Sequence, residues 1–88
     1  MKILVTGAAG FIGFHLSKQY LKNNFSVVGI DNINNYYDVE LKKNRIKTLK
    51  KNKKFIFYKV DIINFDKLNE IIKKYKIKYI VHLAAQAG

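Results

Sequence analysis

The chain alternates between short apolar runs of strand length and segments whose apolar residues recur every three or four positions. Lys2 to Thr6, around Ile3-Leu4-Val5, reads as a short buried strand. Beyond it, Phe11, Ile12, His15, Leu16, Tyr20 and Leu21 recur at three and four, which predicts a helix with those residues on its core stripe, ending near Asn23-Asn24. Ser26 to Ile30 is a second β-rich run with Asp31 at its carboxyl end. A polar, aromatic loop, Asn32 to Tyr37, precedes Asp38, which is placed to cap a basic helix running to about Lys51. Glu40 falls in that helix's first turn, where the dipole favours an anion. Phe55 to Val60 is a third strand, closed by Asp61; Asn64 can then cap a third helix with the stripe Phe65, Leu68, Ile71, Ile72 and Tyr75. Lys78 to Leu83 is a fourth strand, followed by Ala84 to Gly88.

The resulting order is β-α-β-α-β-α-β with short connections. Parallel neighbours need a crossover, and the crossover is right-handed, so this alternation points to an α/β domain with a doubly wound parallel sheet and helices on both faces. Such sheets bind ligands outside the carboxyl ends of their strands. Gly7 to Gly13, Asp31, Asp61 and Leu83 to Ala85 all fall there.

Eighty-eight residues make one small domain at most, and 49% hydrophobic with 14% aromatic residues sets the chain far from disordered compositions. No cysteine is present, and His15 and His82 lie in separate elements, so a metal site is not expected. No stretch approaches the roughly 18 apolar residues of a membrane span, and the N-terminus carries no signal-peptide pattern, so a cytoplasmic protein without membrane contact is expected. The net charge of +11 raises nucleic acid as a partner. The charge is concentrated, however: residues 42 to 54 hold eight basic side chains and no acid, whereas the rest of the chain is nearly balanced. A solvated helix face explains such a run, and nucleic acid is not the expected partner.

Three glycines at strict spacing, Gly7, Gly10 and Gly13, join the first strand to the first helix. The free amides and positive dipole end of that helix suit a diphosphate. Gly7 would allow the tight turn, Gly10 a close approach of backbone to phosphate, and Gly13 close packing of helix on sheet; a plain turn needing positive φ rarely requires all three. No Gly-Lys-Ser/Thr follows, which excludes a P-loop. Asp31 stands 18 residues after Gly13, where a carboxylate can accept both hydroxyls of an adenosine ribose and repel a 2′-phosphate, favouring NAD over NADP. Its alternative role is that of a turn former. Asp61 and Ile62 could flank an adenine, or Asp61 could simply cap the loop. Leu83, Ala84 and Ala85 are small and apolar, either beside a cofactor or as an ordinary buried strand end. His82 is expected to be a satisfied core histidine.

Thr6-Gly7-Ala8-Ala9-Gly10-Phe11-Ile12-Gly13 resembles the TGxxGxxG fingerprint of extended short-chain dehydrogenase/reductases, the NAD-dependent epimerase/dehydratase family. Asp31-Asn32, Asp61-Ile62 and His82-Leu83-Ala84-Ala85 resemble that family's later cofactor motifs in order and spacing. Gly29 to Ile46 and the terminal HLAAQAG look most like its UDP-glucuronate 4-epimerases, with nucleotide-sugar dehydratases and reductases as the alternative. The resemblance implies the N-terminal part of a Rossmann-like NAD(P)-binding domain over residues 1–88, with the C-terminal substrate domain absent. It assigns Gly7, Gly10, Phe11 and Ile12 to the diphosphate, Asp31 and Asn32 to the ribose, Asp61 and Ile62 to adenine, and Leu83 to Ala85 to the cofactor's inner wall. Asn35 and Lys42 or Lys43 are further candidates near the adenosine end. It also implies a UDP-sugar substrate and a homodimer for the whole protein. The family's catalytic YxxxK is missing: no tyrosine in the chain is followed by lysine four positions on. This chain alone is therefore expected to be a catalytically inactive fragment.

Overall fold

The computed structural model describes residues 2–33 and 39–84. Four strands, β1 (Lys2–Thr6), β2 (Ser26–Asp31), β3 (Phe55–Lys59) and β4 (Tyr79–His82), alternate with three helices, α1 (Phe11–Lys22), α2 (Val39–Leu49) and α3 (Phe65–Tyr75). All three strand pairings are parallel and give the order β3-β2-β1-β4. In register, Leu4 lies between Val28 and Ile80, and Thr6 between Ile30 and His82.

Because side chains alternate across a strand, the sheet builds two cores. On one face Ile3, Val5, Val27 and Phe55 pack with Leu21 of α1 and with Ile46 and Leu49 of α2. On the other, Leu4, Val28 and Ile30 receive Ile71 of α3, flanked by Leu68, Ile72 and Tyr75. The expected doubly wound arrangement is thus present, and β1 and β2 are hydrophobic on both sides because both sides are covered. A bond of 2.5 Å between the hydroxyls of Tyr58 and Tyr75 ties β3 to α3. That bond draws the Tyr58 phenol below its ordinary pKa and pushes Tyr75 above it.

The helix ends follow local chemistry. Asn64 accepts the Lys67 amide at 3.2 Å, as its capping position predicts. Lys76 closes α3 in the left-handed region, and Asn24 does the same after α1 at φ +68°. The expected cap Asp38 lies outside the described residues. α2 stops at Leu49 rather than Lys51 because the Lys51 amide turns to the carbonyl of Thr48, a tightened last turn. β3 and β4 are each shorter than the apolar runs that predict them, although the Val60 amide still reaches the Asp31 carbonyl at 3.1 Å.

Three expectations about burial fail. Phe11 and Ile12 are 66% and 65% exposed and His15 is exposed too; the buried face of α1 is Gly13, Ser17 and Leu21, with Phe14 and Tyr20 packed beside it. Close approach of the helix to the turn and sheet selects small residues, which a count of large apolar side chains overlooks. Phe65, in the first turn of α3, is 71% exposed and does not join the stripe below it. His82 is exposed rather than part of the core, because β4 is an outer strand of the sheet.

Candidate functional site

The turn between β1 and α1 lies at the carboxyl rim of the sheet, beside the point where strand order reverses. Connections lead from β1 towards β2 and β3 on one side, while β4 returns to the other side of β1, and open sheets bind ligands at such a switch point. The turn is fixed by its own backbone. The amides of Gly7 and Ala8 both donate to the Ile30 carbonyl, at 2.8 and 3.1 Å. Ala9 donates to Asp31 Oδ2 at 3.0 Å, and Gly10 donates back to the Gly7 carbonyl at 3.0 Å. Four successive amides are therefore engaged internally.

The first amides of a helix have no intrahelical acceptor, and the first bond of α1 runs from Phe14 to the Gly10 carbonyl. Gly10 provides no side-chain cap, and no acidic residue stands in the first turn. Among the described residues the amides of Phe11, Ile12 and Gly13 have no acceptor, and they are placed to meet an anion at the positive end of the helix dipole. Two glycines make this geometry possible. Gly7 has φ +76°, and a Cβ there would fall 2.9 Å from the Ala84 amide nitrogen. A Cβ on Gly13 would fall 2.1 Å from the Gly7 carbonyl oxygen.

Asp31 is only 6% exposed. Besides the Ala9 amide on Oδ2, its Oδ1 accepts the Ile33 amide at 2.8 Å and lies 3.5 Å from Lys42 Nζ. The carboxylate therefore locks the glycine turn to the end of β2 in addition to whatever it offers a ligand. Lys42 is itself 7% exposed, and Arg45 donates to the Ala9 carbonyl at 3.0 Å. The basic run is consequently not a uniformly solvated face. Lys42 turns inward onto Asp31 and Arg45 onto the glycine turn, and Lys43, Lys47 and Lys50 rim a cavity of about 340 Å³ over Ile33, Ile46 and Phe57.

The other candidates among the described residues lie at or just beyond the carboxyl ends of the strands. Leu83 and Ala84 lie against Gly7, while Ala85 and Asn35 are outside the described residues. Asn32 and Ile62 are half-buried. Asp61 is exposed, and its Oδ1 accepts the Ile63 amide at 3.1 Å, a local loop cap. Thr6 is a linchpin that the sequence reading passed over, although it opens the glycine motif. Its Oγ1 accepts the amides of Leu83 and Ala84 at 3.0 and 3.2 Å. A hydroxyl has one hydrogen, so that hydrogen is left for His82 Nδ1 at 2.8 Å. Thr6→Val should therefore cost about 1–3 kcal/mol and speed hydrogen exchange most at Ala84, since Leu83 keeps the Thr6 carbonyl at 3.1 Å. Unchanged exchange at Ala84 would contradict this role.

Among the described residues no group of three or more potential metal ligands occurs. The parallel sheet, its rim turn and the uncapped helix above it place the chain in the Rossmann-like class of nucleotide-binding domains.

More narrowly, the chain belongs to the GDP-mannose 4,6 dehydratase family, of the NAD-dependent epimerase/dehydratase type, whose model matches residues 4–88. It is 49% identical over 85 residues to a UDP-glucuronate 4-epimerase of Thermodesulfobacterium geofontis, a match covering 97% of this chain and 26% of that protein. UDP-glucuronic acid 4-epimerase from Bacillus cereus, solved with UDP-glucuronic acid and NAD, superimposes with a TM-score of 0.87 at 46% identity, covering all of this chain and 27% of the other. dTDP-glucose 4,6-dehydratase from Bacillus anthracis, solved with NAD, gives a TM-score of 0.84 at 30% identity over 98% of this chain and 27% of the other. The chain thus spans about a quarter of the length of these relatives. The family implied by the TGxxGxxG resemblance is the family found.

Proposed function

We propose that residues 1–88 form the adenosine and diphosphate part of an NAD site in a nucleotide-sugar epimerase whose substrate is UDP-glucuronate. One observation carries this reading: four turn amides are consumed internally while those of the first helical turn, which contains no acidic residue, have no acceptor among the described residues and are left for an anion. The likeness to epimerases solved with NAD supports the choice of ligand, and the dehydratase at 30% identity keeps a 4,6-dehydratase as the second reading.

In this assignment Gly7 and Gly10 shape the turn, Phe11 and Ile12 donate to the diphosphate, and Gly13 seats the helix. Asp31 and Asn32 meet the ribose. A carboxylate offers about four lone-pair sites, of which the Ala9 and Ile33 amides and Lys42 engage three; Asp31 therefore accepts one ribose hydroxyl and Asn32 faces the other. Asp61 and Ile62 flank adenine, and Leu83, Ala84 and Ala85 form the wall. NAD would supply reversible hydride removal at the sugar's 4′ carbon. The groups that move the proton belong to the remainder of such an enzyme, to which we also assign a C-terminal substrate domain that holds the sugar, in a cytoplasmic homodimer. No helix among the described residues is long and apolar enough to cross a membrane.

Titration of the ¹⁵N-labelled chain with NAD and NADP provides the test. NAD should shift the Phe11 and Ile12 amides and bind more tightly than NADP, with no formation of the 4′ epimer when UDP-glucuronate is added. Equal binding of NADP would remove the ribose role of Asp31, and epimer formation would overturn the division of labour.

A further inference from the structure

We propose that Arg45 is a positioning residue for the diphosphate turn, holding the Ala9–Gly10 peptide in place so that the first amides of α1 face the phosphates; this rests on the NAD reading above. The peptide plane between Ala9 and Gly10 is pinned at both ends. Its carbonyl accepts from an Arg45 guanidinium nitrogen at 3.0 Å, and its N–H donates to the Gly7 carbonyl at 3.0 Å. The residue before it is held as well, since the Ala9 amide donates to the buried Asp31 carboxylate. Gly10 is the N-cap of α1, so rotation of this one plane would re-aim every amide that follows it.

The guanidinium also lies 5.9 Å from the centre of the Phe11 ring, over the first residue of the helix. A cation at a helix N-terminus opposes the dipole, and here no acidic side chain in the first turn offsets it. That arrangement is unfavourable for the helix alone and becomes favourable when an anion arrives. Arg45 is the only arginine in a chain that otherwise uses lysine. A planar guanidinium can bond a carbonyl and stack on a ring at once, whereas an ammonium is a point charge.

Because the role concerns phosphate, its loss should separate adenosine from ADP. Arg45→Met should weaken ADP and NAD about tenfold, the size expected for one charge-assisted hydrogen bond, with adenosine affinity changed less than about twofold. Arg45→Lys should recover part of the loss, and Lys47→Ala, which removes a charge elsewhere on α2, should leave the affinities within about twofold. An equal loss on adenosine, no loss on ADP, or the same loss in Lys47→Ala would overturn the proposal. Should Arg45→Met fail to fold, the wild-type chain still decides. Its one arginine gives one side-chain Nε–H resonance, which ADP should shift together with the Phe11 and Ile12 amides and adenosine should not. A resonance unmoved by saturating ADP overturns the positioning role alone. A wild-type chain that binds neither NAD nor adenosine removes the cofactor reading and this inference with it.

Discussion

Gly13→Ala should destabilise the chain by about 1–3 kcal/mol or more, the usual cost of forcing extra volume into a packed site. The added Cβ would meet the Gly7 carbonyl oxygen at 2.1 Å and its carbon at 2.8 Å. Both are backbone atoms, so no side-chain rotation relieves the clash. Nor can the turn retreat easily, since Gly7 and Ala8 are bonded to Ile30 and Gly7 already occupies positive φ. The helix must move instead, carrying Ser17 and Leu21 off the sheet. With total stabilities of roughly 0.05–0.15 kcal/mol per residue, a domain of this size has little margin for that movement. Urea unfolding followed by circular dichroism measures the loss. Gly10→Ala is the control: its Cβ would meet the same oxygen at 3.3 Å with φ at −73°, and it should cost less than about 1 kcal/mol. Equal losses at the two positions would show that crowding against Gly7 is not the cause.

Asp31→Ala should cost about 3–5 kcal/mol, because it breaks a buried ion pair with Lys42 and orphans the amides of Ala9 and Ile33. Lys42→Met should cost less, since Asp31 keeps both amide donors. The double variant should be more stable than the sum of the two losses implies, because the attraction between the two groups is lost once in the double variant but counted in both single ones. Additive losses in a double-mutant cycle would mean that the two groups do not act as a pair. With side chains 9% and 5% exposed, the pair should also be nearly indifferent to salt, unlike a surface ion pair.

The sheet was legible because its signal is redundant. Ile3-Leu4-Val5 and Val27-Val28 are apolar on both faces, Asn64 stands where a cap must stand, and the spacing of strands and helices permits only crossovers. The position of the glycine turn at the carboxyl rim followed from the same order. Less accessible was which side of each helix faces inward. In α1 the inward residues are Gly13 and Ser17, whose contribution is their small size; Ser17 Oγ is buried with no partner among the described residues. Phe11 and Ile12 belong to the apolar rhythm of the sequence but sit at the rim. Arg45 was hidden for a different reason, and Lys42 could not be told from Lys43. Eight basic side chains in thirteen positions look alike in sequence, and only the path of α2 across the turn decides which two point inward. His82 was misread because its environment depends on strand order: in β1 it would be covered, but in β4 it lies outside.

Strand order also sets a timetable. As a chain leaves the ribosome from its N-terminus, β1, β2 and β3 emerge in succession and pair as neighbours, so the glycine turn can already be fastened to Ile30 and Asp31 when β3 appears. β4 must instead reach back to the first strand made, and Ala84 meets Thr6 across 78 positions. Closing so long a loop costs entropy before its contacts form. Until then Thr6 lacks both amides that it will hold, and Gly7 stands open on the side where Ala84 will lie. The nascent chain therefore completes the floor of the rim first and its wall last.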